Sequence, residues 1–124
     1  MRAQIATWII WIVGGFQVLA NAILLIRGRT RLRPELEREG ASPRVAELLR
    51  TSWVYAGWSN LGMALVVVLS AQSAVEGNFW SKIVVAIVAT QYVFFAASAY
   101  PIARRVGLAG FAVMGALLYL ALLL

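Results

Sequence analysis

The sequence predicts an all-α, polytopic membrane protein: a bundle of four transmembrane helices with an arginine-rich cytoplasmic loop. Of its 124 residues, 62% are hydrophobic and only 13% are charged, about half the charge of a typical soluble domain. The apolar residues form four long runs without the strand-like alternation of a membrane barrel. In lipid, every backbone amide must find its partner within its own segment, so these runs are expected to be helices.

The four apolar runs set the domain organisation. They cover residues 5–26, 52–72, 82–103 and 107–124. A helix needs about 20 residues to cross a hydrocarbon core about 30 Å thick, and the last run reaches that length only just. We therefore expect residues 1–124 to form a single transmembrane domain with four spans.

The loop at 27–50 is expected to contain helical structure of its own. Ser42 and Pro43 form a helix-start pattern, in which serine caps the first turn and proline occupies it. A helical lead-in is therefore predicted to run directly into the second span. Upstream, Pro34 can begin a short surface helix that Gly40 stops.

The arginines predict the orientation of the chain. Nine of the eleven cations lie in the 27–50 loop or at Arg104 and Arg105, whereas the opposite side holds Arg2 and Lys82. Positive residues in short loops stay cytoplasmic, so both termini are predicted to lie outside. The ten-to-one excess of arginine over lysine fits a GC-rich bacterial genome, and we expect the inner membrane as the location.

The same arginines are the candidate surface for lipid headgroups or a protein partner. Four of the five acids share the long loop, so the net charge of +6 leaves a modest positive excess and does not indicate nucleic-acid binding. Beside an anionic leaflet, each unpaired cation contributes about 1 kcal/mol to attraction to the membrane surface. A solvated determinant of topology is the alternative interpretation. The candidate surface comprises Arg27, Arg29, Arg31, Arg33, Arg104 and Arg105.

Polar amides interrupt the apolar runs. Helical periodicity places Gln17 and Asn21 on one arc of the first helix. The predicted topology places Asn60 and Gln91 near the same depth as Gln17. Unpaired polar groups in lipid cost several kcal/mol, so these faces are predicted to turn inward and meet. The resulting polar interior cluster either holds the bundle together or lines a pocket for a small ligand, water or an ion. It comprises Gln17, Asn21, Asn60, Gln91, Ser59 and Ser98.

The composition argues against catalysis. Cysteine and histidine are both absent, which removes thiolate nucleophiles and the usual zinc, copper and haem ligands. No acid or lysine lies deep in a span, and no pair of groups is placed to activate a nucleophile. We therefore expect no enzyme activity, no catalytic residue, no metal site and no cofactor.

Two main functions remain after these exclusions, and a lipid-modifying enzyme that borrows a cofactor or a partner is a third, less favoured one. The leading prediction is a non-catalytic accessory, assembly or scaffold subunit of a larger membrane complex. Its partners would be the lipid bilayer and other membrane-protein subunits or a second copy of the chain. The alternative is a small channel, or a carrier for a neutral or lipid-like solute, built around the amide cluster.

Overall fold

Helices account for all the regular secondary structure that the structure describes. The computed structural model describes residues 1–103 and 106–124, and the side chains of residues 1–98 and 109–124. Every regular element within these ranges is helical, which confirms the all-α prediction. The elements are α1 (Arg2–Thr30), α2 (Leu32–Arg38), α3 (Pro43–Val75), α4 (Phe79–Ala103) and α5 (Val106–Leu123).

Three helices of the described chain are long and apolar enough to cross a membrane, which indicates a membrane protein. They are the segments Arg2–Thr30, Pro43–Val75 and Phe79–Ser98. The described apolar part of α5, Ala109–Leu123, is shorter. At about 1.5 Å per residue it rises about 22 Å, against a hydrocarbon core of about 30 Å. The fourth span therefore stays a prediction.

Helix α3 starts well before the apolar run that it contains. It begins at Pro43, and the Ser42 Oγ accepts a hydrogen bond from the Val45 backbone amide at 3.3 Å. This bond satisfies one of the first amides of the helix, which have no partner within it. Gly40, with φ +96°, separates α3 from α2 in a backbone conformation that other residues rarely adopt. The charged lead-in and the apolar span are thus one continuous helix.

The backbone groups into two compact units. One is Phe16–Ala64, and the other combines Met1–Gly15 with Leu65–Leu124. Helices α1 and α3 contribute a segment to each unit, α2 belongs to the first, and α4 and α5 belong to the second. The expectation of a single domain stays a prediction.

Glycines allow close packing of α1 against α3 in the Phe16–Ala64 unit. A Cβ built on Gly28 would overlap the indole ring of Trp53, and the Trp53 Nε1 donates a hydrogen bond to the Leu24 carbonyl at 3.0 Å. A Cβ on Gly57 would lie 2.9 Å from the Leu25 Cδ1. Contacts pair later α1 residues with earlier α3 residues, so the two segments run antiparallel.

Helices α4 and α5 pack closely in the other unit. A Cβ built on Gly115 would lie 2.7 Å from the Ala89 carbonyl oxygen and 2.7 Å from the Val93 Cγ2. One turn earlier on α5, the ring of Phe111 makes an edge contact with Tyr92, at 5.8 Å between centroids. The glycine therefore brings the backbones of the two helices together, and the aromatic rings fill the space beside it.

A three-residue turn joins α3 to α4. Gly77 has φ +98°, and the Asn78 amide donates to the Ser73 carbonyl at 3.0 Å. The Asn78 Oδ1 then accepts from the Ser81 amide at 3.0 Å and caps α4. The hydroxyls of Ser73 and Ser81 are hydrogen-bonded at 2.8 Å across the turn. The end of one helix is thus fastened directly to the start of the next.

Candidate functional site

The two amides of α1 are buried and bonded to each other. Gln17 is 2% exposed and Asn21 is 6% exposed. The Asn21 Nδ2 donates to the Gln17 backbone carbonyl at 2.8 Å and to the Gln17 Oε1 at 3.2 Å. Since an amide nitrogen carries two hydrogens, both donors of Asn21 are engaged within the helix. This pair is therefore tied into the packing of α1.

The two amides belong to a continuous stripe of buried residues along α1. Buried residues recur every three or four positions along α1, the spacing that keeps them on one face of a helix. Gln17 and Asn21 lie on this buried stripe. The stripe comprises Ala6, Ile10, Gly14, Gln17, Asn21, Leu25 and Gly28.

Replacing Asn21 with leucine is expected to lower the free energy of unfolding by about 0.6–2 kcal/mol, because the buried Gln17 Oε1 loses a donor. The measurement is denaturant unfolding of the full chain in detergent micelles, followed by circular dichroism. The matched control is Gln4→Leu, a polar-to-apolar change at an exposed position of the same helix. Equal stability of the two variants would show that the Asn21 bonds contribute nothing.

The other members of the predicted polar cluster are less buried than Gln17 and Asn21. Asn60 is half-buried, whereas Ser59, Gln91 and Ser98 are exposed. The chain by itself therefore does not place Gln91, Ser59 and Ser98 in its interior as the sequence predicts. The meeting of the amides from three helices stays a prediction.

The packing of α4 explains the exposure of Gln91. The buried face of this helix is lined by Tyr92 and by aliphatic and small residues, among them Val85, Ala89 and Ala96. These small side chains let α5 approach until Gly115 lies beside the Ala89 carbonyl. Gln91 is one-half turn away from Ala89 on the helix, so it is carried to the opposite side.

Ion pairs join α2 to the start of α3. The Arg33 guanidinium contacts the Glu37 carboxylate at 3.0 Å and the Glu47 carboxylate at 3.1 Å, and Arg50 contacts Glu47 at 3.1 Å. The hydrogen bond and the negative charge of Glu37, together with Glu47, raise the pKa of Arg33 above its ordinary value. These groups are exposed enough that each pair contributes little to stability. The ion pairs instead fix the orientation of the Arg33, Glu47 and Arg50 side chains.

A groove of about 250 Å³ opens beside these ion pairs. It is lined by Arg29 at the end of α1 and by Arg50, Thr51, Val54 and Trp58 of α3. The Arg50 Nε donates to the Arg29 backbone carbonyl at 3.0 Å, which holds the two helix segments together at the rim. The groove thus combines two guanidinium groups with an aliphatic and an aromatic wall.

The groove includes one predicted site residue and four that the sequence prediction does not contain. Arg29 belongs to the predicted headgroup surface, whereas Arg50, Thr51, Val54 and Trp58 lie outside it. The sequence pattern that indicates three of them is a spacing of four residues, which places Arg50, Val54 and Trp58 along a single face of α3. Arg27 and Arg31 are exposed and do not line the groove. Arg104 and Arg105 lie outside the described residues.

The described residues contain no cluster of acids that can hold a metal ion. Among known proteins, no family model, curated sequence or solved structure matches the chain.

Proposed function

We propose that this chain is a non-catalytic subunit of a larger membrane complex, with an accessory, assembly or scaffold role. In this proposal it crosses the bacterial inner membrane four times, with both termini outside and the 27–50 loop in the cytoplasm. The arginine distribution supports this orientation, because positive residues in short loops stay cytoplasmic.

The exposure of Gln91 is the observation that carries the proposal. This residue is central in α4, at equal distance from Phe79 and Ala103. Its side chain is exposed and has no hydrogen bond or ion pair among the described residues. An unpaired amide facing hydrocarbon costs several kcal/mol. A polar group from a neighbouring membrane helix removes this cost, so Gln91 favours a packed partner over bare lipid.

The surroundings of Gln91 also fit a partner helix. Ile87, Gln91, Phe94 and Ser98 are all exposed and recur at intervals of three or four. They form a stripe along α4 in which two apolar and two hydrogen-bonding side chains alternate. Helices in membranes associate through such combinations of close contact and hydrogen bonds between side chains. The partner is either a different subunit or a second copy of this chain.

Replacing Gln91 with leucine tests the proposal. In a mild detergent extract of the native membrane, we expect the wild-type chain to migrate as a complex of defined mass and the Q91L chain to migrate alone. Its free energy of unfolding should be unchanged or higher, because an exposed polar group has been removed from lipid. Native mass spectrometry and light scattering measure the mass, and denaturant titration in micelles measures the stability.

The control for this test is Gln72→Leu, the same substitution at an exposed glutamine near the end of α3. The complex should survive this change, because the Gln72 Nε2 already donates to Glu76 at 3.0 Å. A wild-type chain that is always monomeric, or a complex that persists in the Gln91 variant, would exclude an assembly role for this stripe.

The alternative, a channel or carrier built around the amides, has less support. Both hydrogens of the Asn21 amide are engaged inside α1, and the described groove is lined by other residues. This alternative makes a separate forecast: Gln17→Met or Asn60→Leu would abolish transport in reconstituted vesicles. In the assembly role the same changes alter only stability.

A further inference from the structure

The groove at Arg29 has a polar end and an apolar end. Arg29 and Arg50 lie at its charged rim, and Val54 and Trp58 continue along α3 into the apolar run that begins at residue 52. Trp58 is 60% exposed, so the wall is open to whatever surrounds the helix. A molecule that fits this gradient has an anionic head and an apolar body.

The charges at the rim are unevenly compensated. Three guanidinium groups lie in or beside the groove, and two carboxylates, Glu37 and Glu47, are available to them. Those carboxylates contact Arg33 and Arg50. The Arg29 side chain has no ion pair or hydrogen bond within the described part of the chain. One positive charge is therefore left over, and Arg29 carries it.

Arg50 is oriented by its contacts and keeps donors to spare. Its Nε donates to the Arg29 carbonyl at 3.0 Å and its Nη1 to the Glu47 carboxylate at 3.1 Å. A guanidinium group has five N–H donors, so these two bonds leave others for a ligand. Since these two bonds hold the Arg50 guanidinium group in place, less side-chain entropy is lost when an anion binds. Thr51 adds a hydroxyl to the same lining.

We propose that this groove binds the phosphodiester headgroup of an anionic glycerophospholipid. The phosphate oxygens lie between Arg29 and Arg50, where guanidinium groups make paired, charge-assisted hydrogen bonds. The glycerol and the first acyl carbons lie along Val54 and Trp58. A basic pocket between membrane helices is a favourable setting for such a headgroup. This proposal does not rest on Gln91 or on the identity of a protein partner.

The apolar wall distinguishes a lipid from other anions. Free phosphate or an acidic peptide would engage the two arginines but would leave Val54 and Trp58 without a partner. A glycerophospholipid uses both ends of the groove. The headgroup must also be anionic overall, because a choline group would bring a further positive charge close to Arg29 and Arg50.

The test compares the lipid affinity of the full chain with that of matched variants. The purified protein in a non-ionic detergent is titrated with dioleoylphosphatidylglycerol or dioleoylphosphatidylcholine, and bound lipid is counted by native mass spectrometry. We expect the anionic lipid to bind at one saturable site and the zwitterionic lipid to bind more weakly. Arg29→Gln should weaken the anionic lipid about tenfold or more, the loss expected for a charged hydrogen bond.

Arg27→Gln is the control for charge. It removes the same charge from an exposed residue two positions earlier that does not line the groove. Its effect should be less than about twofold if binding is local rather than a diffuse surface attraction. Because the Arg29 side chain makes no protein bond in the described structure, its removal leaves the fold intact, and circular dichroism checks this.

Trp58→Ala tests the apolar end, with Trp8→Ala as its control, since both indoles are 60% exposed. Only the Trp58 variant should lose affinity for the lipid. Equal losses in Arg29→Gln and Arg27→Gln would overturn the site. So would inorganic phosphate or a polyglutamate peptide that displaces the lipid and binds equally well to the Trp58 variant.

Discussion

Replacing Gly115 with alanine is expected to lower the free energy of unfolding by about 1–3 kcal/mol, and leucine should cost more. A Cβ at this position would lie 2.7 Å from the Ala89 carbonyl oxygen, which is backbone and cannot rotate away. The Val93 side chain closes the other side at 2.7 Å. Helices α4 and α5 must therefore separate to accept the new methyl group, and the contacts of Phe111 are weakened with them.

Gly110→Ala on the same helix is the control for Gly115. Its Cβ would meet the Met114 Cε at 4.0 Å, an ordinary contact. Alanine is favoured over glycine in a helix by about 1 kcal/mol, so this variant should be as stable as the wild type or more stable. Denaturant unfolding in micelles measures both. If the two alanine variants have the same free energy of unfolding, α4 and α5 do not approach closely at Gly115.

The second large effect is expected at Gly28. An alanine there would overlap the indole ring of Trp53, which would have to move and give up its hydrogen bond to the Leu24 carbonyl. We expect a loss of about 1–3 kcal/mol in the free energy of unfolding. Gly62→Ala, which meets nothing within 4 Å, is the matched control and should not destabilise the chain.

A double-mutant cycle separates this clash from a general intolerance of the position. In a Trp53→Leu background the ring is gone, and Gly28→Ala should cost less than about 0.5 kcal/mol. The coupling energy between the two positions is then about 0.5 kcal/mol or more, within the range found for residues in direct contact. Additive effects of the two substitutions would show that the indole does not lie over Gly28.

Much of the fold could be predicted because lipid leaves few choices to the backbone. The apolar runs predict helices, since no other arrangement pairs the amides of an isolated segment. The pattern at Ser42 and Pro43 marks where α3 begins, because it depends on local hydrogen bonds alone. The arc of Gln17 and Asn21 follows from helical geometry, and both residues are buried.

The packed face of α4 could not be predicted in the same way. In water, a buried face stands out as the apolar one, but lipid is as apolar as a protein interior, so hydrophobicity does not separate the two sides of a span. The sequence predicts that the amide of Gln91 faces the interior, whereas the helix packs through the small residues Ala89 and Ala96. The groove was equally hidden, because Arg29 and Arg50 meet only after α1 and α3 have paired.

The short connection between α3 and α4 has a mechanical consequence. Three residues span the gap, and the Ser73–Ser81 bond bridges it, so there is no slack for one helix to slide along its axis without the other. Axial displacement of the end of α3 is passed directly to the start of α4. A force applied along the axis of either helix therefore displaces α3 and α4 together.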